Sequence, residues 1–226
     1  MKAKDILVRY AISTLGLLLV AFGVALSLKS HFGVAPPSCP PTALSDEWPG
    51  FHIFNLESFG SFTWMFNCTF ILIQLVLRPR RFDWFLGLMQ VLAMYCFGFL
   101  CDMFNWMIDI NEYATAFHGH ILYALGAILA TALGIKLEVL GKGWIPPIDQ
   151  MNAVITDLGK FRYSNVKIAC DIIVVAMTAG FYWIVFGSPV ANHTVFWGTI
   201  MLAFGVGLCM KLTDPLMDRF FGRFVK

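Results

Sequence analysis

Two stretches of this chain, Gly33-Val34-Ala35-Pro36-Pro37 and Gly143-Trp144-Ile145-Pro146-Pro147, repeat one pattern at a spacing of 110 positions (143 − 33). Each follows a long apolar segment. Proline removes a backbone donor and disfavours helix in the residue before it, so two adjacent prolines end the helix that precedes them. Proline also suits the first turn of a new helix, and the stretch Asp149 to Asp157 has the pattern of a short amphipathic one. The doubled break divides one domain, residues 1–226, into two similar halves, about 8–110 and about 116–220. The echo extends outward: Gly23 precedes Pro36 by thirteen residues, as Gly134 precedes Pro147.

Composition puts both halves in a bilayer. Apolar residues make up 58% of the 226, charged ones 13%, and mean hydropathy is +0.72, too oily for a soluble domain. Low-charge segments of about 20 residues, the length that crosses about 30 Å of hydrocarbon, fall at roughly 10–29, 57–77, 84–107, 118–140, 166–187 and 194–213. The run Ile12 to Leu28 lacks the alternation of a barrel strand. It also outruns a signal-peptide core and ends at Lys29, Ser30 and His31 without a small-x-small cleavage site, so it reads as a retained span. The predicted fold is an all-α membrane protein: six transmembrane helices as two inverted three-helix repeats with proline-broken or re-entrant segments.

Loop charges orient it. Lys2, Lys4 and Arg9 precede the first span; Arg78, Arg80 and Arg81 join the second to the third. Lys160, Arg162 and Lys167 precede the fifth, and Lys211, Arg219, Arg223 and Lys226 follow the sixth. All fall on one side, so the positive-inside rule makes both termini cytoplasmic. Three spans per half is an odd number, which turns the second half over relative to the first. The net charge of +2 gives no basis for a nucleic-acid partner.

Irregular backbone at membrane depth survives only if protein buries it or it lines a wet cavity. Gly33, Pro36, Pro37, Gly143, Pro146 and Pro147 are therefore the expected backbone breaks. If both segments dip inward, the N-termini of the following half-helices make a place for a polar group; two surface loops are the plainer alternative. Asp149, Gln150 and Asn152 supply a carboxylate and two amides within one turn, while the matching first-half positions are Cys39, Pro40 and Thr42. Substrate recognition should thus be asymmetric, although Asp149 could equally cap its helix. Asn67, near the centre of the second span, is a further hydrogen-bonding candidate, set against a role as interhelical glue. Trp144 could stack on a planar or cationic substrate or anchor at the interface. Asp171, one turn inside the fifth span, is the coupling candidate, set against a structural ion pair.

Familiar chemistries are missing. There is no G-x-x-x-x-G-K-[ST] loop, no H-E-x-x-H helix and no G-x-S-x-G elbow, and the six cysteines have no metal-ligand spacing. No enzyme activity, cofactor or metal is expected.

Arg9 with the Gly16-to-Gly23 span, Gly33-x-x-Pro36, and Gly134 followed by Gly143-x-x-Pro146 carry a resemblance. The chain resembles the YczE-like (YczE/YyaS/YitT-type) group of small bacterial inner-membrane proteins over most of its length. It departs at Pro37, where an aromatic residue and then an acid commonly follow the first proline. The resemblance implies six spans in a bacterial cell membrane and leaves the substrate unnamed.

The leading expectation is a secondary transporter or permease for a small polar organic molecule, working by alternating access. A substrate-binding membrane subunit that needs a separate energising ATPase, and a non-transporting assembly factor, remain open beside it. The expected partners are the small molecule and membrane lipid, with homodimerisation as a prior for so small a protein.

Overall fold

Inside hydrocarbon a single helix satisfies its own backbone, so apolar runs of about 20 residues become helices. The computed structural model describes residues 3–47, 58–110, 117–141, 143, 145–161, 163–187, 198–206 and 208–209. Among these the regular elements are helices: α1 (Ala3–Lys29), α2 (Cys39–Glu47), α3 (Phe59–Leu77), α4 (Trp84–Ile110), α5 (Phe117–Gly141), α6 (Pro147–Gly159), α7 (Tyr163–Phe186) and α8 (198–206). Single 3-10 turns occur at Pro36–Ser38 and Pro79–Arg81. Five helices are long and apolar enough to cross a membrane, over Leu7–Lys29, Phe59–Leu77, Trp84–Ile108, Gly119–Gly141 and Asn165–Val185. Their outward faces are apolar too: Val76 and Ile184 are 78% and 87% exposed, a surface that hydrocarbon rather than water accommodates. The chain reads as a multi-pass membrane protein. Of the sixth expected span, 194–213, only 198–206 and 208–209 are described, and both stretches are helical. Trp144 and residue 57, the expected start of the second span, lie outside the described residues.

The helices form two compact units, and α4 contributes to both. The first contains α1, the C-terminal end of α4, α5 and α8. Here α1 and α5 run antiparallel, with Gly16 against Gly134, Gly23 against Ala127 and Thr131, and Gly141 against Ser13 and Arg9. A Cβ added at Gly16 would stand 2.7 Å from the Gly134 carbonyl oxygen, and one at Gly134 equally close to the Gly16 oxygen. The two helices therefore touch backbone to backbone, the small-residue packing that suits an interface in lipid. Beside this seam Ile12 and Leu137 are buried among Val8, Leu19, Leu133 and Leu140. The Gly143 N–H donates to Ser13 Oγ at 2.9 Å and so fastens the end of the α5 connection to α1. The first proline motif begins in this unit at Gly33. Its φ of +119° and the approach of Thr199, 2.7 Å from where a Cβ would lie, both demand glycine. Next to it the Gly198 N–H donates to the Phe32 carbonyl at 2.6 Å.

The second unit holds α2, α3, the N-terminal part of α4, α6 and α7. In it α3 packs on α2 and on α6, and α7 packs on α2, on the Pro36–Ser38 turn and on α6. Phe70, Ile148, Met151 and Val174 form the core between α3, α6 and α7, flanked by Phe66, Ile155 and Cys170. Both proline motifs start helices as the sequence predicts. Pro36 opens a 3-10 turn that passes into α2, and Pro147 is the first residue of α6 with Pro146 as its N-cap. Lys160, in the left-handed region at φ 52°, ends α6 by donating its N–H to the Thr156 carbonyl. Both short helices are walled in: Cys39, Pro41, Thr42 and Ala43 of α2 are buried, as are Pro147, Ile148, Met151 and Asn152 of α6.

Candidate functional site

A proline-initiated helix buries its apolar stripe and carries along whatever polar residues share that stripe. In α6 the stripe Ile148, Met151 and Ile155 faces the core, and Asn152 goes in with it. Asn152 is 0% exposed, and neither its Oδ1 nor its Nδ2 has a hydrogen-bond partner among the described residues. One turn on, on the same face, Thr156 Oγ1 is also buried and unpartnered. A buried polar group left so costs about 1–3 kcal/mol. A polar group that entered this stripe would recover part of that cost.

Asp149 occupies the first turn of α6 and does not stand alone there. Lys167 of α7 donates to its Oδ1 at 3.4 Å and lies 3.9 Å from Asp171 Oδ2, one helical turn along α7. The lysine thus sits between two carboxylates, while the second oxygen of Asp171 is buried without a hydrogen-bond partner among the described residues. The three side chains are between a quarter and two-fifths exposed, so water screens the cluster in part. Both acids were singled out from the sequence; the cation that joins them was counted there only as a loop charge.

The broken backbone is held by two amides. Gln74 of α3, 4% exposed, donates its Nε2 to the Pro147 carbonyl at 3.0 Å. Gln90 of α4, 2% exposed, donates to the Ile145 carbonyl at 3.2 Å and keeps a buried, unpartnered Oε1. The Ile145 carbonyl lies ahead of the α6 ladder and gains a donor from Gln90, while the Pro147 carbonyl, already within that ladder, gains a second donor from Gln74. In the sequence these glutamines are no more than two polar residues within apolar spans.

Gln150, next on α6, points elsewhere. It lines a pocket of about 90 Å³ with Gln74, Arg78, Arg81, Asp83 and Phe82. Asn67 is not among the pocket residues; its Nδ2 donates to the Thr63 carbonyl of its own helix at 2.9 Å. Trp144 lies outside the described residues. The structure therefore brings together Asp149 and Asp171 through Lys167, sets Asn152 and Gln150 on two other sides of α6, and ties Asn67 to its own backbone. The matching first-half helix offers less: Thr42 is buried and donates to the Ser38 carbonyl at 2.8 Å.

Two further features lie in the first unit. The rings of His31 and His120 meet edge to face with centroids 5.0 Å apart. A wholly apolar cavity of about 280 Å³ opens between Phe32, Ile121, Leu125, Ile128, Met201 and Leu202. Among the described residues, no group of three or more His, Cys, Asp or Glu side chains is arranged to hold a metal ion.

No curated protein and no solved structure matches the chain. A family model described as "Family of unknown function (DUF6198)" matches residues 7–215, which takes in both proline motifs, all of α6 and the Asp149–Lys167–Asp171 cluster. Since that match spans nearly the whole sequence, the chain belongs to this family, DUF6198.

Proposed function

We propose that the protein is a secondary transporter that moves a small polar organic molecule across the bacterial inner membrane by alternating access, its substrate contacts supplied by α6. The carrying observation is Asn152, an amide with no exposure and no partner on a proline-started helix at the heart of the second unit. A binding site needs such a group: a polar side chain held in a dry place, completed by its ligand rather than by the protein. Thr156 lies on the same face, and the Asp149–Lys167–Asp171 cluster offers carboxylates next to a cation for ion or proton coupling.

The inverted-repeat architecture belongs to the same proposal, and the packing supports it. A shift of 111 carries Gly23 to Gly134 and Gly16 to Ala127. Gly16 packs on Gly134 and Gly23 on Ala127, so exchanging the halves exchanges one contact for the other. In the second unit the exchange of α2 with α6 and α3 with α7 turns the α3–α6 packing into α7–α2. Two-fold exchange of this kind is what an inverted pair produces. Six spans, both termini cytoplasmic and the likeness to the YczE-like group complete the reading.

The test is solute uptake into proteoliposomes holding the purified chain, screened with labelled amino acids, polyols and small carboxylates. Saturable uptake of one class, lost in Asn152→Leu while the unfolding midpoint does not fall, supports the proposal. Tight binding without uptake, restored by an ATPase partner, would replace it with the binding-subunit reading.

A further inference from the structure

The second unit contains a site that the transport reading leaves unused. Spans Phe59–Leu77 and Trp84–Ile108 leave residues 78–83 between them, at the level where hydrocarbon gives way to headgroups and water. The pocket of about 90 Å³ opens there, between the end of α3, the Pro79–Arg81 turn, the start of α4 and the flank of α6. Its size decides its class. Pockets for whole organic ligands run to roughly 300–1,000 Å³, whereas about 90 Å³ holds on the order of three water volumes, the bulk of one tetrahedral oxyanion.

Its donors come from three elements. Arg78 follows α3, Arg81 ends the 3-10 turn, and Gln150 projects from α6. The Arg81 guanidinium and the Gln150 amide have no side-chain partner among the described residues. Arg78 is held by a long contact, 3.4 Å, to Asp157 Oδ2, and that aspartate is 65% exposed, so the pairing is weak and easily exchanged. The acceptors lining the pocket are largely committed: Asp83 Oδ1 receives the Leu86 N–H at 3.1 Å as the α4 cap. Of the charged groups that line the pocket, two are guanidiniums and one is a carboxylate, so the lining carries a net positive charge. Guanidinium groups bind phosphate through paired, charge-assisted hydrogen bonds, and donors from several directions suit a tetrahedral anion with four acceptor oxygens better than a planar one with two.

We propose that this pocket, formed by Arg78, Arg81 and Gln150, binds a phosphate group, carried either by the headgroup of an anionic lipid or by free phosphate. The site stands independently of the transport reading, because binding is measured on the protein at rest. Basic pockets at the ends of membrane spans select anionic headgroups by this chemistry. Occupation would tie α6 to the α3–α4 connection through a bound anion.

Binding is read on the full chain in two settings. Inorganic phosphate is titrated onto protein in phosphatidylcholine nanodiscs, and phosphatidylglycerol is titrated into the same nanodiscs with phosphate absent; retained lipid is counted by native mass spectrometry. The expected result is saturable binding in at least one arm. Binding should be weakened about tenfold by Arg81→Gln and by Gln150→Leu, and strengthened by Asp157→Asn, which releases Arg78 from its competitor. Saturation in the first arm names a free phosphate as the source, and saturation in the second alone names the lipid. Arg81 is exposed, so its replacement leaves the fold intact, and size-exclusion elution checks this. Absence of saturable binding in both arms, or binding indifferent to both Arg81→Gln and Gln150→Leu, overturns the proposal.

Discussion

The two helices that follow the proline motifs, α2 and α6, start alike and differ in what they bury. A shift of 110 carries Thr42 of α2 onto Asn152 of α6. Thr42 satisfies itself, donating its hydroxyl to the Ser38 carbonyl one turn back, as a short hydroxyl on a helix readily does. Asn152 does not reach back in that way, although Asn67 of α3 does, and both polar atoms of Asn152 stay unpaired in a fully buried place. Cys39 of α2, a buried cysteine, corresponds to Asp149 of α6, which is held by Lys167. One helix closes its hydrogen bonds locally and the other leaves them open. The two proline-started helices thus begin alike, while the open polar chemistry lies on α6.

The sharpest way to break this comparison is to make the two helices alike. Asn152→Leu should lower solute uptake by roughly 10–100-fold, the loss of one buried hydrogen-bonding group. The same change removes an unsatisfied amide, so the unfolding midpoint should hold or rise. Thr42→Val at the matching position should keep most uptake. Equal losses at the two positions would show that burial, not the open amide, is what matters.

Lys167→Met tests the carboxylate pair next. It leaves Asp149 and Asp171 facing each other without their shared cation, and since all three groups are partly exposed the stability loss should be about 1–2 kcal/mol. Adding Asp149→Asn should recover part of that loss; a strictly additive double variant in denaturant titration would remove the cluster from the argument. Gln74→Leu should cost about 1 kcal/mol and speed amide exchange in the first turn of α6, because the Pro147 carbonyl loses its second, side-chain donor from α3. Smallest of all, Asp157→Asn should move stability by no more than about 0.5 kcal/mol, its pairing with Arg78 being long and exposed.

Much of this frame can be read in the chain before any coordinates. Hydropathy alone marks the five described spans, and the doubled prolines mark both short helices, because these signals are local in sequence. The greater polarity of the second copy is equally local, and Asp149, Gln150 and Asn152 all take part in the arrangement around α6. What escapes is contact at a distance. The tasks of Gln74 and Gln90 depend on carbonyls 73 and 55 residues away, which no periodicity announces. Lys167 and Arg81 look like topology signals, and their second role appears only when α6 lies beside them. Asn67 shows the opposite case: a central amide invites a distant partner, and the bond its Nδ2 makes is to the carbonyl of Thr63, four residues back on its own helix.

The glycine seam between α1 and α5 also sets a demand on synthesis. α1 is complete 88 residues before α5 begins (117 − 29), which at roughly 5–20 residues per second is about 5–20 s of translation. Throughout that interval the Gly16 and Gly23 face of the newborn first helix has lipid, or an insertion factor, where its permanent neighbour will be. A face of small residues lets another backbone come close, so the seam that locks the finished first unit depends on the face staying uncovered until α5 arrives.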